Sequence, residues 1–194
     1  MLKKHSFSKP RFASGRHARI SRSLYASFSL LLLAGAVQAQ AQFEEDFDDK
    51  DKPWQEVAVQ LPAAPKQENL LPFYVSATAT QSFAIDIKSL AVGTDGVIRY
   101  TLVATSQAGA KNISYEGIRC ASYEHKLYAF GQSDGSWSRS RRDQWEPIND
   151  NAANRQHSAL FKDYFCTGKS VAGKGEDMLR RIKNNKPLSP QDAG

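Results

Sequence analysis

Two groups of residues in this sequence have the types and spacing for chemistry. The first is Tyr115, Glu116, Arg119 and His125. A carboxylate and an imidazole that meet across neighbouring strands can exchange protons near neutral pH, so Glu116 and His125 would form the working pair of a small polar site. A plainer account is a cross-strand ion pair of Glu116 with Arg119 or a nearby lysine. The second group is Trp137, Arg139, Arg141, Arg142 and Trp145. Guanidinium groups and indoles in one segment can grip an anionic or sugar ligand. The alternative, which we prefer, packs both tryptophans on the sheet and leaves the arginines solvated. Neither group is a complete catalytic constellation, so no catalytic residue is assigned.

Other motifs fail on their context. Gly131-Gln-Ser-Asp-Gly135 matches the serine-hydrolase pattern, but that serine must sit on a strained turn opening a helix within a large α/β sheet. Here an ordinary turn at Asp134-Gly135 explains the match. Gly168-Lys169-Ser170 resembles the end of a phosphate-binding loop, yet Asp163 stands where the first glycine belongs and would repel phosphate. Asn112-Ile-Ser114 is a glycosylation sequon by pattern only. Beyond the first 39 residues the histidines are His125 and His157 and the cysteines Cys120 and Cys166, without the close ligand pairs of a zinc site. No metal and no cofactor is expected.

These residues must be positioned by strands. Phe73–Ala79, Phe83–Ile87 and Leu90–Val92 are β-rich, and Asp95-Gly96 supplies the positive φ of a tight hairpin turn. Val97–Thr105 follows, alternating at Ile98, Tyr100 and Leu102, then Ile113–Cys120 and His125–Phe130. Connections this short make neighbours antiparallel. Gly117 inside its strand predicts a bulge or a close backbone approach. After Pro147 the spacing of His157, Leu160, Phe161, Tyr164 and Phe165 predicts a helix over about 151–165 with Gly168 closing it. A second helix is predicted over Gly175–Asn184, with Met178, Leu179 and Ile182 on its apolar face and Glu176 placed to pair with Arg180. The expected fold is α+β: a meander-like antiparallel sheet of about five to six strands covered by two C-terminal helices. The expected organisation is a leader over 1–39, a partly ordered acidic, proline-rich arm over 40–72, the α+β domain over 73–186 and a flexible tail over 187–194.

The formal charge of +6 does not argue for nucleic acid. Seven of the 26 Lys and Arg stand before residue 39 in a stretch free of acids, and the remaining 19 face 20 Asp and Glu. That stretch has the parts of a secretory signal peptide: a basic start, an apolar run over Leu24–Val37 and the small residues of Val37-Gln38-Ala39. The apolar run is shorter than the roughly 20 residues a membrane-spanning helix needs, and no cysteine follows it for a lipid anchor. Cleavage leaves Gln40 or Gln42 first, in the periplasm. In an oxidising compartment an even cysteine pair is most simply a disulfide, tying the end of the first helix to the strand ending at Cys120; the alternative is two buried thiols. Residues 40–56 hold seven acids and two bases, so the arm is a candidate electrostatic partner for its own body.

Val92–Thr101, Ser114–Cys120 and Lys126–Gly131 together resemble the CNP1-like family, exported bacterial proteins of uncharacterised function found mainly in Gram-negative lineages. The likeness takes in Phe43–Phe47, Trp54, Asn69-Leu70, Trp137 and Cys166, roughly residues 43–184. Some relatives are lipoproteins; this chain lacks the lipidation cysteine. The resemblance brings no catalytic residue, and it implies that the acidic arm belongs to the domain. The expected protein is a periplasmic, monomeric, non-catalytic binding or accessory module. Its expected partner is an envelope protein or a small anionic or sugar ligand, not nucleic acid. Two rivals remain: a small enzyme using Glu116 and His125, and a purely structural envelope protein.

Overall fold

The computed structural model describes residues 53–151 and 155–189. The leader, the acidic run at 44–51 and residues 190–194 lie outside them. Among the described residues ten strands form: β1 (Leu70–Phe73), β2 (Gln81–Asp86), β3 (Ala91–Val92), β4 (Val97–Ser106), β5 (Lys111–Arg119), β6 (Glu124–Gly131), β7 (Trp137–Arg139), β8 (Glu146–Pro147), β9 (Cys166–Thr167) and β10 (Ser170–Val171). Helix α1 (Arg155–Ala159) continues as a π-helical segment, Leu160–Phe165, and α2 spans Gly175–Lys183. The main sheet is antiparallel in the order β1-β2-β4-β5-β6-β7, with β3 also on β4 and β8 also on β6. The meander and the helices that follow it match the expected α+β arrangement.

The long central strands decide everything else because each must bury two faces. Opposite residues of an antiparallel pair point to the same side, so Ile98, Tyr100 and Leu102 of β4 share one face with Ile118, Glu116 and Ser114 of β5. That face meets Leu160, Phe161, Tyr164, Phe165, Met178 and Ile182 in the apolar core. Tyr100 and Phe165 stack edge to face at 5.4 Å between centroids. Cys120 and Cys166 form a disulfide, with Cα atoms 5.6 Å apart, between the end of the β5 strand and the end of the π segment. Val97, Arg99 and Thr101 point the other way and are buried too, so the second face is also covered.

Several local expectations are corrected. The first strand is Leu70–Phe73 rather than Phe73–Ala79; Pro72 fits because β1 is an edge strand and needs no second row of N–H donors. Gly168, at φ +58°, turns the β9–β10 hairpin instead of capping the helix, which ends because Cys166 is already extended. The first helix is α-helical only to Ala159, and its wider last turn brings Leu160, Phe161, Tyr164 and Phe165 into the core together. In α2 it is Asp177, not Glu176, that pairs with Arg180. Arg181 donates to the Tyr164 carbonyl at 2.9 and 3.1 Å and so fastens α2 to the end of the π segment. The start of the tail is held, since the Leu188 N–H donates to the Asp163 carbonyl at 2.7 Å.

Candidate functional site

Strand alternation splits the first candidate group. Glu116 and His125 face the helices, whereas Tyr115 and Arg119, at odd positions of the same strand β5, face the other way. Tyr115, Glu116, Arg119 and His125 therefore do not converge into one polar site. Glu116 pairs with neither Arg119 nor a lysine. Its Oε2 lies 2.9 Å from His157 Nε2 and accepts from the Tyr100 hydroxyl at 3.1 Å, and its Oε1 accepts from Ser114 Oγ at 2.6 Å. His125 reaches the cluster through His157, the two rings stacked at 4.1 Å. His157 is the member that sequence reasoning missed: at helical spacing among Leu160, Phe161 and Tyr164 it read as part of an apolar face.

The cluster is closed. Glu116, His157 and His125 are 6%, 5% and 8% exposed. Burial alone would raise the Glu116 carboxyl, but the His157 imidazole and the Ser114 hydrogen bond outweigh it and hold the pKa below 4.5. Burial lowers His125 beneath its ordinary 6.5, and the neighbouring His157 lowers it further. Neither His125 nitrogen has a hydrogen-bond partner among the described residues. This is a satisfied carboxylate beside two stacked imidazoles, with the groups for proton transfer and almost no exposure to solvent. Among the described residues no cluster of His, Cys, Asp and Glu has the geometry to hold a metal.

The opposite face is built differently. Arg99, Gly117 and Lys126 stand side by side across β4, β5 and β6. Gly117 is required here: a Cβ would lie 2.6 Å from the Tyr128 hydroxyl, so its absence lets the Tyr128 side chain lie across the sheet. Of the bulge or close backbone approach expected at Gly117, the register shift falls instead between Tyr115 and Glu116 and leaves Tyr128 of β6 unpaired, and what approaches Gly117 is the Tyr128 side chain rather than a backbone. Tyr115 packs on Tyr128 and Trp137, with centroids 5.7 and 6.1 Å away.

A carboxylate from outside the sheet sits at the centre of this face. Glu56 accepts from Tyr128 at 2.5 Å, Lys126 at 2.9 Å, Trp145 at 3.3 Å and Arg99 at 3.4 Å. Burial raises its pKa, but the Tyr128 and Lys126 hydrogen bonds, the Lys126 charge and the Trp145 N–H together hold it below its ordinary 4.5. The Tyr128 hydroxyl is pushed up, first by burial and then by Glu56.

The backbone around Glu56 is gripped as well. Asp95, from the predicted hairpin turn, clamps Arg99 through both oxygens at 2.6 and 3.1 Å and accepts the Val57 N–H at 2.9 Å. Arg99 also donates to the Val57 carbonyl at 3.4 Å, and Trp54 Nε1 donates to the Asp95 carbonyl at 2.9 Å. The Arg119 guanidinium lies 3.8 Å over the Trp54 ring, and Arg119 also meets Glu124 at 3.7 Å. Further along, Trp137 Nε1 donates to the Pro62 carbonyl at 2.7 Å. The arm expected to be partly ordered thus lies on the sheet from Trp54 to Pro62, and Glu56 is one of the seven acids of residues 40–56.

Of the second candidate group, Trp137 and Trp145 are half-buried against this face, each with its indole N–H donating to the arm. Arg139 lines a cleft of about 230 Å³ beside Glu56, Lys126 and Tyr128. Arg141 and Arg142 are exposed. The cations that meet the carboxylate are Arg99 and Lys126, two residues that sequence reasoning left among ordinary strand positions.

Among the described residues no helix is long and apolar enough to cross a membrane. A family model described as the CNP1-like family matches residues 49–183. No curated protein and no solved structure matches the chain.

Proposed function

The chain belongs to the CNP1-like family, and on that premise we propose that it is exported to the periplasm of a Gram-negative cell and works there as a non-catalytic binding module of the envelope. The observation that carries this reading is the contrast between the two faces. The residues able to move protons are buried and turned onto one another, whereas four side-chain donors on the other face converge on a carboxylate from a segment outside the sheet. The signal-peptide pattern and the Cys120–Cys166 disulfide support export to an oxidising compartment. The rival enzyme has the close Glu116–His157 contact in its favour and the burial of both residues against it.

Native mass spectrometry of the protein drawn from a periplasmic extract tests the proposal. The expected spectrum shows a chain beginning at Gln40 or Gln42, two mass units lighter than the dithiol, carrying a ligand or polypeptide of fixed mass. A bare chain as the sole species contradicts the binding module, and recovery of the unprocessed chain from the cytoplasm contradicts export.

A further inference from the structure

Resting on that binding reading, we infer that the face bearing Arg99, Lys126, Tyr128 and Trp145 is a receptor for an extended, carboxylate-bearing peptide segment of a partner protein, and that residues 53–66 are its built-in occupant. The contacts on the arm are those that read a peptide. One carboxylate meets the four donors. One residue later, Asp95 takes the Val57 N–H and Arg99 the Val57 carbonyl. Farther on, Trp137 takes the Pro62 carbonyl. A free anion or a sugar would satisfy the first set and leave the backbone-reading groups idle. An extended segment with an acidic residue, an aromatic two places before it and a free backbone carbonyl six places after it satisfies all of them.

The arm has the marks of an occupant that can leave. No strand forms between residues 53 and 66, so no backbone ladder ties it to the sheet. No residue of 53–66 is fully buried, and Trp54 and Val57 remain 38% and 46% exposed, so the arm lies on the surface rather than in the core. Four of its contacts meet at the Glu56 carboxylate, and three of the donors, Arg99, Lys126 and Tyr128, stand on β4 and β6. Arg99 remains fixed by Asp95, and Lys126 keeps its 2.8 Å contact with Asp143. A tethered occupant acts at an effective concentration of order millimolar, so a partner must bind better than the arm or arrive when the arm is weakened.

The test uses the full mature chain and a labelled synthetic peptide with the sequence of residues 53–66. Glu56→Lys places a cation against Arg99 and Lys126 and should expel the tethered arm. This variant is expected to bind the peptide saturably and at least about tenfold more tightly than the wild-type chain does. A peptide with Gln in place of its Glu should bind at least about tenfold more weakly, and adding Trp145→Phe, which keeps the ring and removes the N–H, should weaken binding again. Absence of saturable binding to a Glu56→Lys chain that keeps its disulfide and its thermal transition overturns the inference, as does equal binding of the Glu and Gln peptides. Should Glu56→Lys fail to fold, Glu56→Ala carries the same outcomes without adding a charge. A failed titration beside a retained partner in the native spectrum removes only the peptide receptor; a bare native spectrum removes the parent reading.

Discussion

Gly117 makes the two faces of the sheet different, because without a side chain it lets Tyr128 lie across β5 and reach Glu56. Gly117→Ala should displace that hydroxyl and cost about 1–3 kcal/mol by overpacking; a chemical-denaturation midpoint equal to wild type would contradict the close approach. On the helix side, Glu116→Ala leaves His157, Tyr100 and Ser114 facing an empty site and should cost about 1–3 kcal/mol, the penalty of leaving a buried hydrogen-bonding group without its partner. His125 gives this cluster a pH signature. Its pKa is depressed in the fold, so below the ordinary 6.5 the unfolded chain takes up a proton that the folded chain refuses, and stability declines as pH falls from there. His125→Phe should flatten the slope of the urea midpoint below that pH. Glu116 and His125 were legible from residue type alone. Glu56 was not, because one acid among the seven of residues 40–56 carries no pattern that marks it as the one that docks.

At the level of elements, β4, β5 and β6 were legible because strict alternation over long strands with short turns leaves one arrangement, and Asp95-Gly96 marked its hairpin. The edge was not, since Pro72 reads as a strand breaker until its strand is known to have only one neighbour. The first helix was half legible. Its spacing fits an α-helix through Phe165, and only the packing of Leu160 and Phe165 in the same core discloses the wider turn. The same alternation that made β5 readable also separates Tyr115 and Arg119 from Glu116, which a list of nearby polar residues cannot reveal. The disulfide joins these two layers at their ends. Replacing Cys120 and Cys166 together by serine should cost about 2–5 kcal/mol, measured as a lowered denaturation midpoint, and should leave the β4–β6 sheet in place. Met178→Ala, at the centre of the α2 contact, should cost about 2–5 kcal/mol through the cavity it leaves.

Over the whole molecule the sheet is a partition between a permanent core and a reversible cover. The helix side is fastened by the disulfide and a continuous apolar cluster. The arm side is fastened by polar contacts around one carboxylate, and these follow its ionisation. Because the Glu56 pKa is held below its ordinary 4.5, the carboxylate contribution to docking should be lost at lower pH than an ordinary glutamate would lose it, as the carboxylate takes up its proton. The charge asymmetry legible in the sequence thus has a local form: a half-buried acid from the arm meeting Arg99 and Lys126, less open to salt screening than an exposed pair. The central claim is that the Glu56 carboxylate is the main polar anchor of the arm, so that neutralising it loosens the arm's hold on the sheet. Hydrogen exchange of the mature chain, compared between wild type and Glu56→Gln, tests it most directly. The account predicts faster exchange at Val57 with unchanged protection in β4, β5 and β6. Equal protection of Val57 in both proteins would contradict it.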